Sequence, residues 1–310
     1  MVILKNKEDK MSESKVYIIF HSADYDGMMS ATIAKMHYYK DSDVNLVPYN
    51  YGQNIDLTPM VDSTVVMVDI SLAETEMIFL KEHTEKFIWI DHHSTAIEKY
   101  KHLNIEGIQE VGKAACELTW EFFVPYLCMP KVVELLGRYD VWDMEYSLVN
   151  EARALQLALA YEGITVQNGF YDYLLCLLHD KLVDYSTVKL DKLIGIGTII
   201  SKYQIEQNKR TMDRLATTKD VVIGDKTYKA IVANTTGNSI TFDGVYDPAI
   251  HDFMLRYCIG KNSEIQCSLY STKENIHCGE LASYFNGGGH KGAAGFTLDV
   301  SSFFNLLREI

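Results

Sequence analysis

The chain has 310 residues, 47% of them hydrophobic and 23% charged, the balance of an ordinary globular protein long enough for one large domain or two. Its formal net charge of -13 argues against long duplex nucleic acid as a ligand, because affinity for such a polyanion comes from Lys and Arg neutralising many phosphates. A short anionic ligand stays open, since bound divalent metal inverts the local field wherever carboxylates cluster.

The opening stretch MVILKNKEDKMSESK lacks the apolar core of a signal peptide. No apolar run reaches the roughly 18 residues of a membrane-spanning helix, so a cytoplasmic protein without a membrane partner is expected. Three apolar runs follow in the first hundred residues: VYIIF before His21, TVVMV before Asp69 and FIWI before Asp91. Short apolar runs with helical stretches between them read as buried strands of a parallel sheet. Such sheets bind ligands outside the carboxyl ends of their strands, so the polar residues after each run are expected to meet at one edge.

Residues 114–136 and 151–182 read as helices from their apolar spacing, with GRYDVWDMEYS between them, and 186–216 reads as a long helix leading out of the first domain. From about residue 220 the pattern turns to strands, DVVIGDKTYKAIVAN and EIQCSLYS, followed by a helix, HCGELASYF, expected to stop at Gly287 to Gly289. The fold class is α/β: a parallel-sheet N-terminal domain over 15–185 with helices on both faces, a linker helix over 186–218, and a smaller mixed α/β domain over 219–310. The six cysteines form no CxxC pair and read as buried thiols of a reducing compartment.

Four segments carry the chemistry. In HSADYDG, a loop after a strand can turn His21, Asp24 and Asp26 toward one point, and two carboxylates this close repel unless a cation sits between them; a helix cap is the equal alternative for either aspartate. Asp69 ends VVMVD, where a lone carboxylate is usually a cap. Asp91, His92 and His93 follow the third strand, and Asp140 sits in GRYDVWD, where a turn residue is the ordinary explanation. Together, imidazole and carboxylate groups arriving from four segments at one sheet edge suit a pair of hard divalent ions.

HSADYDGMMSA, VVMVDIS, WIDHHST and RYDVWD, in that order, resemble the four successive motifs of the DHH phosphoesterase family, and SLYS followed by FNGGGHKGAAGF resembles the GGGH signature of that family's associated substrate-binding domain. The resemblance runs from about residue 15 to 300 and is nearest to the oligoribonuclease (nanoRNase) branch. It implies two divalent metal ions, manganese by preference. His21 and Asp24 would hold the first, and Asp26, His92 and Asp140 the second. Asp69 would bridge them. His93, with Asp91, would act at the substrate phosphate, in-line attack by water needing no side-chain nucleophile. Gly288, Gly289, His290 and Tyr270 would bind substrate.

Two departures narrow the branch. Many members carry Arg where this chain has Tyr270, which removes a guanidinium clamp on phosphate and leaves an aromatic ring to stack on a base or pack in the core. The spacing from His21 to Asp24 is one residue shorter than in the pyrophosphatase branch. The expected substrate is a short oligonucleotide or small nucleotide; a single-strand exonuclease and a non-catalytic nucleotide sensor are the alternatives. Self-association into a homodimer is left open.

Overall fold

The computed structural model describes residues 14–39, 42–178, 190–260, 263–289 and 291–307. The chain divides between Ser201 and Lys202 into two compact units.

The first unit contains β1 (Ser14–His21), α1 (Tyr25–Tyr38), β2 (Ser42–Tyr49), β3 (Thr64–Val68), α2 (Glu74–His83), β4 (Lys86–Ile90), α3 (Ser94–Tyr100), α4 (Ala115–Phe123), α5 (Lys131–Asp140), α6 (Val149–Tyr161) and α7 (Phe170–Leu178). Its four strands are parallel in the order β2-β1-β3-β4. Alternate residues serve opposite faces, as the pleat requires. Val16, Ile18, Phe20, Val66, Val68, Ile88 and Ile90 join one core with α1 and α4 to α7. Ile19, Val65, Met67, Phe87 and Trp89 join another with Met77 and Leu80 of α2 and Ala96 and Tyr100 of α3. Both faces are covered, which is why these strands read as continuous apolar runs. The first crossover leads outward from β1 to β2, and the chain then returns to place β3 on the other side of β1. The carboxyl ends of β1 and β3 therefore flank the point where strand order reverses, the position at which open α/β sheets bind ligands.

After α8 (Leu190–Leu215), which spans the division, the second unit contains β5 (Thr217–Ile223), β6 (Lys226–Asn234), β7 (Phe253–Ile259), β8 (Ile265–Tyr270), α9 (Cys278–Ser283), β9 (Gly288–Gly289), β10 (Ala293–Leu298) and α10 (Val300–Leu306). These strands form one mixed sheet in the order β5-β6-β7-β8-β10-β9. One face packs with α9 and α10; the other packs around Met212, Phe242 and Met254.

Several expectations need correction. The helix read over 114–136 is two helices, α4 and α5, because Pro125 supplies no N–H and disfavours helical backbone at Val124, whose φ is -132°. The helix read over 151–182 is likewise two, α6 and α7, separated by Gly163 and Gly169 at φ +69° and +70°; residues 179–182 lie outside the described residues. The strand β2 went unread because Asp43, Asn45 and Pro48 interrupt its apolar pattern, which an edge strand tolerates. The helix α9 stops at Ser283, four residues short of Gly287, and Gly288 and Gly289 form an edge strand paired with Gly295 and Ala294. Among the described residues, no helix is long and apolar enough to cross a membrane.

Candidate metal centre

The site begins where β1 ends. His21 is the last residue of β1, and Asp24 caps α1, its Oδ1 accepting the Gly27 amide at 3.0 Å. Gly27 serves close approach rather than a tight turn, since a Cβ there would lie 2.1 Å from the His21 carbonyl oxygen. Asp26, in the first turn of α1, is buried. Its Oδ1 accepts from Cys116 N at 2.7 Å and its Oδ2 from Ala115 N at 2.9 Å. The N-terminus of α4 thus holds this carboxylate by its free amides and its dipole.

Asp69 follows β3 directly and adopts left-handed backbone at φ +60°, a conformation that Asp and Asn visit more readily than other non-glycine residues. Two hydrogen bonds fix that turn: Asp69 N donates to Ile90 O at 2.9 Å, and the indole N–H of buried Trp89 donates to Ile70 O at 3.0 Å. After β4, Asp91 turns back on its own loop, its Oδ1 accepting from His92 N at 2.7 Å and His93 N at 3.1 Å and lying 2.7 Å from His93 Nδ1. Asp140 is the last residue of α5.

These side chains converge in two triads. His21 Nδ1 lies 2.9 Å from Asp24 Oδ2 and 3.5 Å from Asp69 Oδ2. His92 Nε2 lies 3.3 Å from Asp69 Oδ1, 3.4 Å from Asp140 Oδ2 and 3.8 Å from Asp26 Oδ2. Asp69 therefore turns one oxygen toward each group. His93 Nδ1, 3.9 Å from Asp69 Oδ1, flanks both. In each of the sets His21–Asp24–Asp69, Asp26–His92–Asp140 and Asp69–His92–His93, the ligating atoms lie within 4.8 Å of one another.

The electrostatics call for cations. Burial and the charge of Asp69 push the Asp26 carboxyl up to about 8, with the charge of His92 working downward. Burial and the charge of Asp26 push Asp140 up to about 7. For His21, burial works downward, but Asp24 and Asp69 outweigh it and raise the ring to about 10. His92 reaches about 9 in the same way, with Asp69 and Asp26 opposing burial. Carboxylates packed this closely out of water require protons or cations between them. His21 Nδ1 is buried and lies close to Asp24 and Asp69 at once, an arrangement that a cation shared among the three satisfies. Carboxylate and imidazole donors without thiolate suit hard or intermediate divalent ions. Cys116, nearby, turns its thiol to Val133 O at 3.6 Å, and burial and Asp26 hold its pKa up. The residues present fit two such ions.

The structure thus gathers His21, Asp24, Asp26, Asp69, His92, His93 and Asp140 at one sheet edge. Asp91 lies behind His93, fully buried, and reaches the cluster only by fixing that ring, which makes it a positioning residue. In the second unit, Tyr270 ends β8 and packs against the Phe242 and Met254 cluster. Gly288 is exposed, and a Cβ there would meet nothing within 4 Å. Gly289, at φ +148°, has no room for one, since Ala293 O would lie 2.5 Å away. His290 lies outside the described residues. Arg256 stands on β7 opposite Ser268, on the same face as Tyr270.

Sequence reasoning missed Glu117 and Arg138. Glu117 is buried and its Oε2 accepts from Ala114 N at 2.9 Å; Arg138 Nε donates to its Oε1 at 3.0 Å. Gly137 makes the space, since a Cβ there would lie 2.6 Å from Glu117 Cγ. The pair ties the amides that hold Asp26 to the helix end that carries Asp140. Arg138→Ala would leave the Glu117 charge buried without its partner, which costs about 3–5 kcal/mol. Chemical denaturation of the variant is expected to show a loss of that size in the first unit, and metal titration a weakening of about 10- to 100-fold, as for groups that orient ligands. Unaltered stability and affinity would remove the pair from this role.

Residues 15–140 match the N-terminal domain of the DHH family. Uncharacterized protein R106 of Acanthamoeba polyphaga mimivirus is 23% identical over 296 residues, covering 90% of this chain; the chain spans just under two thirds of that relative, 66% of its length. Among solved structures, PggH of Vibrio cholerae, a pGpG-specific phosphodiesterase, is 13% identical with a TM-score of 0.54, over 94% of this chain and 96% of that one. RecJ of Thermus thermophilus in complex with Mn2+ is 16% identical with a TM-score of 0.48, over 95% of this chain and 51% of that one. The four segments that build the cluster all lie within the span matched by the family, and the chain carries the N-terminal domain of the DHH family.

Proposed function

We propose that this protein is a cytoplasmic metal-dependent phosphoesterase that hydrolyses short oligonucleotides or related small nucleotides, in the manner of nanoRNases. The observation that carries the reading is Asp69, whose two oxygens face two different triads. His21 and Asp24 would hold one divalent ion, Asp26, His92 and Asp140 the other, and Asp69 would bridge them. Manganese suits the donor set. Such a pair supplies positive charge at the phosphoryl oxygens and acidifies water for in-line attack.

The chain's own residues do the rest. Asp91 fixes His93 at the rim, where the ring can hold or pass a proton at the phosphate. Asp26 is held rigidly by α4, so its oxygens keep their place as charge changes. The catalytic part is assigned to 15–185 and the linker to 186–218, although the linking helix ends at Leu215 and β5 of the second sheet already begins at Thr217; in the part over 219–310, Gly288, Gly289, His290 and Tyr270 bind substrate. Support for that second role comes from the open space over Gly288.

Short substrates follow from the charge. At -13, a long strand would run over acidic surface with few cations to replace its counterions. Steady-state kinetics on a ladder from two to about twenty nucleotides, with manganese, is expected to show kcat/KM falling at least about tenfold beyond five residues. Equal efficiency at both ends of the ladder would favour a single-strand exonuclease, and tight binding without turnover would favour a sensor.

A further inference from the structure

A cavity of about 410 Å³ opens beside Asp24, within the first unit. Its walls come from the end of β1, the start of α1, the segment after β2 and the turn between α6 and α7. We infer that it is a nucleoside subsite, receiving the base of the nucleotide whose phosphate lies at the triads. The inference rests on the function proposed above and adds the identity of the neighbouring group.

The walls are fixed by their own hydrogen bonds. Tyr25 Oη donates to Ile164 O at 3.2 Å, joining α1 to the α6–α7 turn. Ser22 N donates to Tyr49 O at 3.1 Å, and Asn50 N donates to Gln53 Oε1 at 2.9 Å. A preformed cavity in the range of about 300–1,000 Å³ is the usual form of a small-molecule site.

The lining excludes a second phosphate. Among the described residues, Asp24 is the only charged one in the lining, and no Lys, Arg or His lines it; a second phosphate held there would find no side-chain cation of its own. The polar lining instead consists of neutral amides and hydroxyls, Asn50, Gln53, Gln167, Ser22 and Thr165, beside apolar surface from Met28, Pro48 and Ile164. Asn50 Oδ1 is buried and has no hydrogen-bond partner among the described residues, a state that is costly unless a donor arrives. Amide edges over an apolar wall complement a nucleobase, which offers N–H donors and ring acceptors on a flat body. The position also suits it. The cavity shares Asp24 with the His21 triad, so a base seated there leaves its phosphate at the cluster.

The test compares two substrates of the manganese-loaded protein: a dinucleotide, and bis(p-nitrophenyl) phosphate, which has the ester but no base. Asn50→Ala is expected to lower the ratio of their kcat/KM values about tenfold, the effect of one lost hydrogen bond and its unpaired partner. Gln167→Ala, on the exposed turn, is expected to lower it in the same direction and guards against misfolding of the first variant. A ratio unchanged in both variants overturns the subsite, as does an equal loss on both substrates, which would place these residues at the metals. Calorimetry with free nucleosides separates this from the parent reading: binding that both variants weaken upholds the subsite even if the wild type hydrolyses neither ester, and no binding at millimolar nucleoside overturns it.

Discussion

Replacing Asp69 with asparagine is expected to lower turnover by at least about a thousandfold, the upper range for deleting one preorganised electrostatic group, while the fold persists. Asparagine is the discriminating choice. At φ +60° an alanine would add left-handed strain of about 1–2 kcal/mol, so a defect in Asp69→Ala would mix strain with lost charge. Asparagine tolerates that backbone and keeps the shape, removing only the second anionic oxygen. Since one Asp69 oxygen lies 3.5 Å from His21 and the other 3.3 Å from His92, both triads lose a partner at once. Asp24→Asn disturbs one triad alone and is expected to retain more activity. The checks are kcat with saturating manganese and metal content by elemental analysis. An Asp69→Asn protein with near-native turnover and two bound ions would end the bridging assignment.

The strands that build this edge were legible because burial on both faces leaves no polar residue inside them: VYIIF, TVVMV and FIWI announce their ends at His21, Asp69 and Asp91. An edge strand lacks that signature, and β2 was invisible for this reason although its neighbour Asn50 shapes the cavity. The residue types of the cluster were legible too, but not what positions them. That Asp26 is held by the amides of Ala115 and Cys116, some ninety residues away, leaves no mark in sequence, because backbone donors are the same in every residue. Gly137 gave a faint signal, glycine inside a helix, that reads as weak propensity until Glu117 is seen filling its space. The GGGH segment was misread for a related reason. Glycines after a helix suggest a helix end, whereas pairing with β10, a tertiary event, made Gly288 and Gly289 a strand.

Chelation is expected to abolish turnover and to lower the stability of the first unit, by an amount that grows as pH rises. Ions that bind only the folded state stabilise it by about 2.7 kcal/mol at a hundredfold excess over Kd, a shift of roughly 5–11 °C for a domain of about 150–250 residues. The pH dependence follows from the groups that the ions would neutralise. Asp26 and Asp140 stand at about 8 and about 7 against an ordinary 3.8, and His21 and His92 at about 10 and about 9 against 6.5. All four are raised in the folded protein, so the folded state binds protons that the unfolded chain has already shed. Their contribution to stability is full below the unfolded values and is lost as pH rises through the folded ones. Asp24, lowered by His21 and the Gly27 amide against burial, acts below this window. The chelated protein should therefore weaken steadily from about pH 6 to pH 9, as the cluster gives up its protons and like charges face one another. With manganese present, cations take the place of protons and the decline should be shallow. Calorimetric scans at pH 6, 7, 8 and 9, with excess manganese and with excess chelator, measure the gap directly. A gap that widens with pH, confined to the transition of the first unit, is the expected result. A gap that narrows, or one shared equally by the second unit, would mean that the ions act elsewhere than at these seven side chains.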